Sequence, residues 1–259
     1  IPGQQPHEDG EKLKVDILNM YPTTDRQRAV DRAAEVCPYL AWTIYRLYDA
    51  EDEVVFRLDN GDLVRAFLTT GFFQGLALAS PAACLCAAPA LARTDADITL
   101  LLADAEQHDP KLRGATHRLR AATDDILIGL PRAVVRQAYK ALQIHLQAEG
   151  FDTTARKNQV FDPQGNPARD PAEAAAALGL PEFQYSTTGI DMCGLAIGTT
   201  DWTDTPSAPI GTADFMESYF GTLERKLAAF LQNIETLAET AEDGVQCAAT
   251  LLRSRGVPS

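Results

Sequence analysis

The sequence predicts an α+β fold, an antiparallel sheet packed on helices, and three observations point to it. Strand and helix patterns alternate without a regular βαβ repeat. One strong hairpin signal, Asp59-Asn60-Gly61-Asp62 between Glu53 to Leu58 and Leu63 to Leu68, marks antiparallel pairing. A second hairpin pattern has a pair of acids, Asp124 and Asp125, at its bend. With 259 residues, 46% of them hydrophobic, the chain is long enough to bury a real core, as one domain or as one domain plus a helical appendage.

In chain order, a polar start from Ile1 to Glu11 precedes a strand over Leu13 to Leu18. Thr24 to Val36 has helical spacing, with Ala29, Ala33 and Val36 on one side, and Tyr39 to Tyr48 reads as a second helix. The Asn-Gly hairpin follows, then a turn with Gly71 and Gly75. The most apolar run, Leu76 to Ala92, is rich in Ala, Cys and Pro and falls short of the roughly 20 uninterrupted apolar residues of a membrane span. It reads as a buried helix, Ala77 to Arg93. After the polar stretch Glu106 to Gly114, Thr116, Arg118 and Arg120 alternate with Ala, His and Leu as a strand, and Ile126 to Ile128 forms the next one. Arg132 to Glu149 is an amphipathic helix carrying Val135, Ala138, Leu142 and Leu146. Asp162 to Pro171 is a surface loop, Ile190 to Ile197 a strand, and Thr212 to Thr240 a long helix or an abutting pair. Gly244 interrupts the pattern before a last helix ending at Arg255.

The five cysteines, Cys37, Cys84, Cys86, Cys193 and Cys247, lack zinc spacing and read as small buried hydrophobes in a reducing, intracellular compartment. The four histidines are scattered, and Trp42 and Trp202 read as packing anchors. Glu217, Glu224, Glu235, Glu239 and Glu242 read as an acidic face, either solvated or docking a basic partner. A net charge of −13 disfavours bulk affinity for nucleic acid unless a partner chain supplies cations. The chain begins at Ile1 rather than Met, which fits a processed or a truncated terminus.

Three blocks carry chemistry through their order. The first, Val15-Asp16-Ile17-Leu18-Asn19-Met20-Tyr21, is an acid in an apolar strand with an aromatic five residues on. The second is Gly71-Phe72-Phe73-Gln74-Gly75 with Ser80-Pro81 beyond it. The third is Thr123-Asp124-Asp125 followed by Ile126-Leu127-Ile128. Taken singly, each has a plain structural explanation: a solvated turn, an edge acid, a glycine turn. Taken together, paired acids at a bend ask for a cation, and an acid on a neighbouring strand completes an oxygen site suited to Mg²⁺. Two such ions would clamp the oxygens of a phosphoryl transfer.

In that order the blocks resemble reverse transcriptases, those of non-LTR retroelements above all. Asp16 to Tyr21 is similar to the first palm motif Asp-x-x-Asn-Ala-Phe. Gly71 to Gly75 with Ser80-Pro81 is similar to the Gly-x-x-Gln-Gly block, and Thr123 to Asp125 to the Ala-Asp-Asp hairpin. Gly150-Phe151 with Lys157-Asn158 resembles the Gly-Leu…Lys-Ser segment, and Gly189 to Gly198 the primer grip. Departures are Ala122 in place of the aromatic before the acids, and Leu76-Ala77 in place of Asp-Pro.

The resemblance implies a degenerate polymerase palm over residues 1–205, lacking fingers, and a helical thumb-like segment over 206–259. It implies an RNA-directed DNA polymerase with Asp16, Asp124 and Asp125 as catalytic acids. Asp16, the Ile17 carbonyl, Asp124 and Asp125 would ligate two Mg²⁺ or Mn²⁺ ions. Tyr21, Gln74, Gly75 and Lys157 would bind the nucleotide, Tyr21 as sugar gate and Lys157 as proton donor. Partners would be a primer–template, held weakly by this chain alone, and other protein chains. The alternative is a domesticated, non-catalytic relic that serves as a structural or docking subunit of a larger assembly. A metal-dependent nuclease is a third reading, with little support because no general-base His lies nearby in sequence.

Overall fold

The computed structural model describes residues 10–48, 52–58, 60–68, 70–72, 78–192 and 195–198, with 225, 228, 229, 232 and 236 further on. The chain divides into two compact units, Ile1–Gly198 and Thr199–Ser259. The expected C-terminal helices, Trp202, Cys193, Cys247 and the acidic face lie outside the described residues. The exceptions are Arg225, Ala228, Ala229, Gln232 and Thr236, which are helical.

Within the first unit, five strands form one sheet in the order β4-β5-β1-β6-β7: β1 (Glu11–Asp16), β4 (Arg118–Ala122), β5 (Asp125–Leu130), β6 (Gln159–Phe161) and β7 (Gln184–Ser186). Every pairing is antiparallel except β6 with β7. The expected α+β architecture is therefore the observed one. Two small hairpins stand apart from this sheet, β2 (Asp52–Arg57) with β3 (Leu63–Leu68), and β8 (Gly189–Met192) with β9 (Leu195–Gly198). The first turns at Asn60 and Gly61, where φ of +88° suits glycine, and the Asn60 side chain bonds Asp62.

Alternation along the strands fixes which face meets the helices. Leu13 and Val15 of β1, with Ile126, Ile128 and Leu130 of β5, are buried. The helices are α1 (Met20–Thr23), α2 (Arg26–Val36), α3 (Pro38–Tyr48), α4 (Ala79–His108), α5 (Val135–Ala148) and α6 (Pro171–Ala177). Asp25 caps α2 by accepting the Arg28 amide at 2.8 Å, and Asp170 caps α6 in the same way. The small-residue run does form a buried helix, and α4 extends it to 30 residues, about 45 Å. Ala82, Ala83, Cys86, Ala87 and Ala90 line its buried side, where short side chains allow close approach. The polar residues to His108 stay helical because the pattern continues through Thr94, Ile98 and Leu102, all buried. The amphipathic α5 buries Val135, Ala138, Leu142 and Leu146 as its spacing requires.

Other expectations are corrected. Trp42 is 57% exposed rather than a packing anchor, because α3 buries Ala41 and Ile44 instead and leaves Tyr39 stacked on Trp42 outside. Cys37 is exposed, at the C-cap of α2, whereas Cys86 is buried as expected. The Ile190 to Ile197 strand is a hairpin, β8 and β9. The scattered His117 and His145 each meet an acid of α4: Nε2 lies 2.8 Å from Asp95 and 2.7 Å from Asp97, two residues apart on that helix.

Two charge clusters built on buried carboxylates tie these layers together. Glu149, at the end of α5, meets Arg93 of α4 at 2.5 Å and Arg28 of α2 at 3.2 Å, with Arg32 at 3.9 Å. At the start of β1, buried Glu11 lies 3.7 Å from Arg132, which also pairs with buried Asp162 at 2.9 Å. The Tyr185 hydroxyl donates to the same Asp162 oxygen.

Both clusters give measurable consequences. Breaking the Glu149 clamp by Glu149→Gln is expected to cost about 1–2 kcal/mol in urea unfolding, since the three arginines keep part of their hydration. Burial, opposed by a backbone hydrogen bond and reinforced by Asp162, pushes the Glu11 carboxyl from 4.5 up to about 7. The folded state thus holds this proton more tightly than the unfolded chain. Its contribution is complete below 4.5 and is lost as pH rises through about 7, an effect on the order of 3 kcal/mol. Thermal melts from pH 4.5 to 8 should show the stability of wild type falling relative to Glu11→Gln as pH rises.

Candidate functional site

The register of β1 against β5 brings the first and third sequence blocks together. Asp16, last in β1, is the direct partner of Asp125, first in β5. One step beyond, the Ile17 amide donates to the Asp124 carbonyl at 2.9 Å. Directly opposed residues in a sheet project from the same face, so Asp16 and Asp125 share one. That face is the one turned away from the buried Leu13 and Val15.

Further pairs in the same register extend this face. Lys14 lies opposite Leu127 and Leu127 opposite Arg120, while Lys12 lies opposite Gly129 and Gly129 opposite Arg118. The sheet thus carries four basic residues in two adjacent rows leading to an acidic pair. The chain's overall acidity hides this local reversal of sign.

Buried Asp16 is held on several sides. Its amide donates to Asn158 Oδ1 at 3.1 Å and its carbonyl accepts the Thr154 amide at 2.9 Å. Asn158 is itself fully buried and donates from its other side to the Tyr139 hydroxyl at 3.1 Å. The Asp16 carboxylate accepts from Lys157 Nζ at 3.1 Å, and Asp125 pairs with Lys14 Nζ at 3.3 Å.

Thr123 and Asp124 form the two-residue bend between β4 and β5. Thr123 has φ of +56°, a conformation costing a β-branched residue about 1–3 kcal/mol. Its hydroxyl lies 2.7 Å from the Ala122 carbonyl and 2.8 Å from Asp124 Oδ1, with one proton to share between them. The Cys84 thiol of α4 lies against this bend, and burial, opposed by the Thr123 backbone and aided by Asp124, pushes its pKa up.

The second block reaches the site through Tyr21. The Tyr21 hydroxyl is 2.8 Å from Ser80 Oγ in the first turn of α4. Gly71 and Phe72 donate their amides to the Thr24 and Tyr21 carbonyls at 3.0 and 2.9 Å. A Cβ on Gly71 would fall 2.1 Å from the Pro22 carbonyl oxygen, and φ there is +70°, so only glycine allows this docking. Phe72 is buried edge-on to Tyr48. Gln74 and Gly75 lie outside the described residues.

Among the described residues no three His, Cys, Asp or Glu side chains gather as a cation cage. The donor set instead suits a hard cation held by one or two carboxylates and completed by water and phosphate oxygens, the usual habit of Mg²⁺. Buried Thr154 Oγ1, in the residue whose amide meets the Asp16 carbonyl, has no hydrogen-bond partner. Sequence reasoning missed Lys14, and it named Asn158 and Thr123 within their motif blocks without giving either a role. Lys14 left a signal, the alternation Lys12, Lys14, Asp16 along one strand.

No family model and no curated protein matches the chain. Among the solved structures similar to it are two telomerases. The first, from Candida albicans in complex with a fragment of telomeric RNA, is 16% identical with a TM-score of 0.44. It covers 94% of this chain and 39% of its own. The second, apo telomerase from Candida tropicalis truncated from its C-terminal domain, is 12% identical with a TM-score of 0.36, covering 73% of this chain and 34% of its own. The chain therefore spans well under half the length of either.

The Asn158 contacts set an expectation. Asn158→Ala removes the acceptor for the Asp16 amide and the donor to Tyr139 in a dry setting, and is expected to cost about 1–3 kcal/mol in denaturant unfolding.

Proposed function

We propose that this chain is a reverse transcriptase-like domain, an RNA-directed DNA polymerase palm that acts in nucleotidyl transfer. The single observation that supports it is the pairing of Asp16 with Asp125 beside the Asp124 bend, which unites acids far apart in sequence. The chain's order of motifs requires that meeting, and an accidental turn would have no reason to provide it.

In this reading Asp16 and the acids of the bend hold Mg²⁺ or Mn²⁺. The ions, when bound, supply Lewis-acid stabilisation of the attacking and leaving oxygens. Lys157, on a short exposed turn, exchanges the Asp16 carboxylate for the triphosphate of the incoming nucleotide and donates a proton to the leaving group. Tyr21 screens the sugar, its ring packed on the core and its hydroxyl tied to Ser80. Gln74 and Gly75 underlie the nucleotide. Arg118, Arg120 and Lys12 face the phosphates of primer and template.

A second reading is favoured by a different observation. Tyr39, Trp42 and Tyr45 on α3, and Leu63 and Phe67 on β3, are large apolar side chains left exposed. Such a surface suits a docking subunit of a larger protein assembly, with catalysis lost.

Primer extension by the purified chain in Mg²⁺ or Mn²⁺ decides between them. Under the first reading, weak primer–template binding, salt-sensitive and reduced by Arg120→Ala, accompanies extension that falls at least about a hundredfold in Asp16→Asn. Extension equal in wild type and Asp16→Asn, or absent from both while the native particle sizes as a larger assembly, would favour the docking subunit.

A further inference from the structure

The two ion pairs at the acidic site differ in a way that assigns the carboxylates different duties. Lys157 is 63% exposed in its side chain and rises from a short turn to meet Asp16. Lys14 and Asp125 are 12% and 14% exposed, and both stand on strands paired on either side within the sheet. Releasing Lys157 returns a hydrated ammonium to water at little cost. Releasing Lys14 would leave a largely desolvated ammonium without its nearest counter-charge, and would do so beside an incoming cation.

We infer that Lys14 is a positioning residue that withholds Asp125 from the divalent-cation site, which centres on Asp16. This rests on the cation-site reading above and narrows its ligands by removing Asp125 from them. The local charges agree with it. With Lys157 swung into solvent, Asp16, Asp124 and Asp125 against Lys14 leave two negative charges, which one divalent ion neutralises. Asp125 then works through geometry: it anchors the Lys14 ammonium across the sheet and holds the first residue of β5 opposite Asp16. Lys14 also limits how strongly the site attracts a cation, because a fixed positive charge lies one pleat away from Asp16 on the same strand face.

Mn²⁺ titration of the full chain, followed by electron paramagnetic resonance, reads this without any catalytic assay. Asp16→Asn is expected to weaken Mn²⁺ binding by at least about tenfold and Asp125→Asn by less than about threefold, the loss of a ligand against the loss of a neighbour. Lys14→Met should tighten binding at least about threefold, by removing a like charge beside the site and its hold on Asp125. Adding Asp125→Asn to Lys14→Met should cancel that gain, whereas Lys14→Arg, which keeps the charge, should bind as wild type does. Circular dichroism identifies any variant that fails to fold, and the Met and Arg variants test the inference without touching a carboxylate. Equal losses in Asp125→Asn and Asp16→Asn, or unchanged or weaker binding in Lys14→Met, would overturn the inference and leave the cation site standing. Absence of Mn²⁺ binding by wild type, or binding indifferent to Asp16→Asn, would instead remove the cation site itself and this inference with it.

Discussion

The backbone ladder between β1 and β5 is the constraint on which the rest of this structure depends. A slip of one residue would turn Leu13 and Val15 to the open face and Lys14 and Asp16 into the core. The hydrophobic pattern therefore sets the register, and the register in turn sets Asp16 opposite Asp125. Burial of apolar side chains on one face thus determines the electrostatics of the other.

What stabilises that register is polar as well as apolar. Asn158 ties the Asp16 amide to Tyr139, and Tyr139 packs edge-on against Phe183. The Glu11, Arg132 and Asp162 cluster closes the other end of β1. The strand is thus clamped at both ends, and its side chains have little freedom to drift. A group intended to meet a cation benefits from that rigidity, since reorganisation would otherwise be required when the ion binds.

Much of this was legible in the sequence wherever the signal was periodic or punctuated. The α5 helix followed from its apolar spacing, the β2–β3 hairpin from Asn60-Gly61, and the meeting of Asp16 with the Asp124 bend from the order of blocks. Other features depended on contacts between distant segments. The strands Gln159–Phe161 and Gln184–Ser186 are three residues each, too short for alternation to register, and exist because they continue a ladder begun by β1. The exposure of Trp42 depends on which side of α3 finds the core, and Ala41 and Ile44 took that side. The ammonium beside Asp125 was visible as a residue but not as a contact, since only the strand register brings Lys14 within reach of it.

The length of α4 has a consequence for how this chain can vary. Ser80, in its first turn, meets Tyr21, whereas Asp95 and Asp97 meet His117 and His145 farther along the same helix. Inserting one residue between these stations rotates everything beyond it by about 100°. Both histidines would then face the wrong side chains, and the buried positions at Thr94, Ile98 and Leu102 would turn outward. The rod therefore behaves as a ruler of fixed graduation: its side chains can be exchanged, but its residue count between the two stations cannot. Changes of length are absorbed where no such phase is kept, as in the turn Asn166 to Arg169, whose hydrogen bonds close within it.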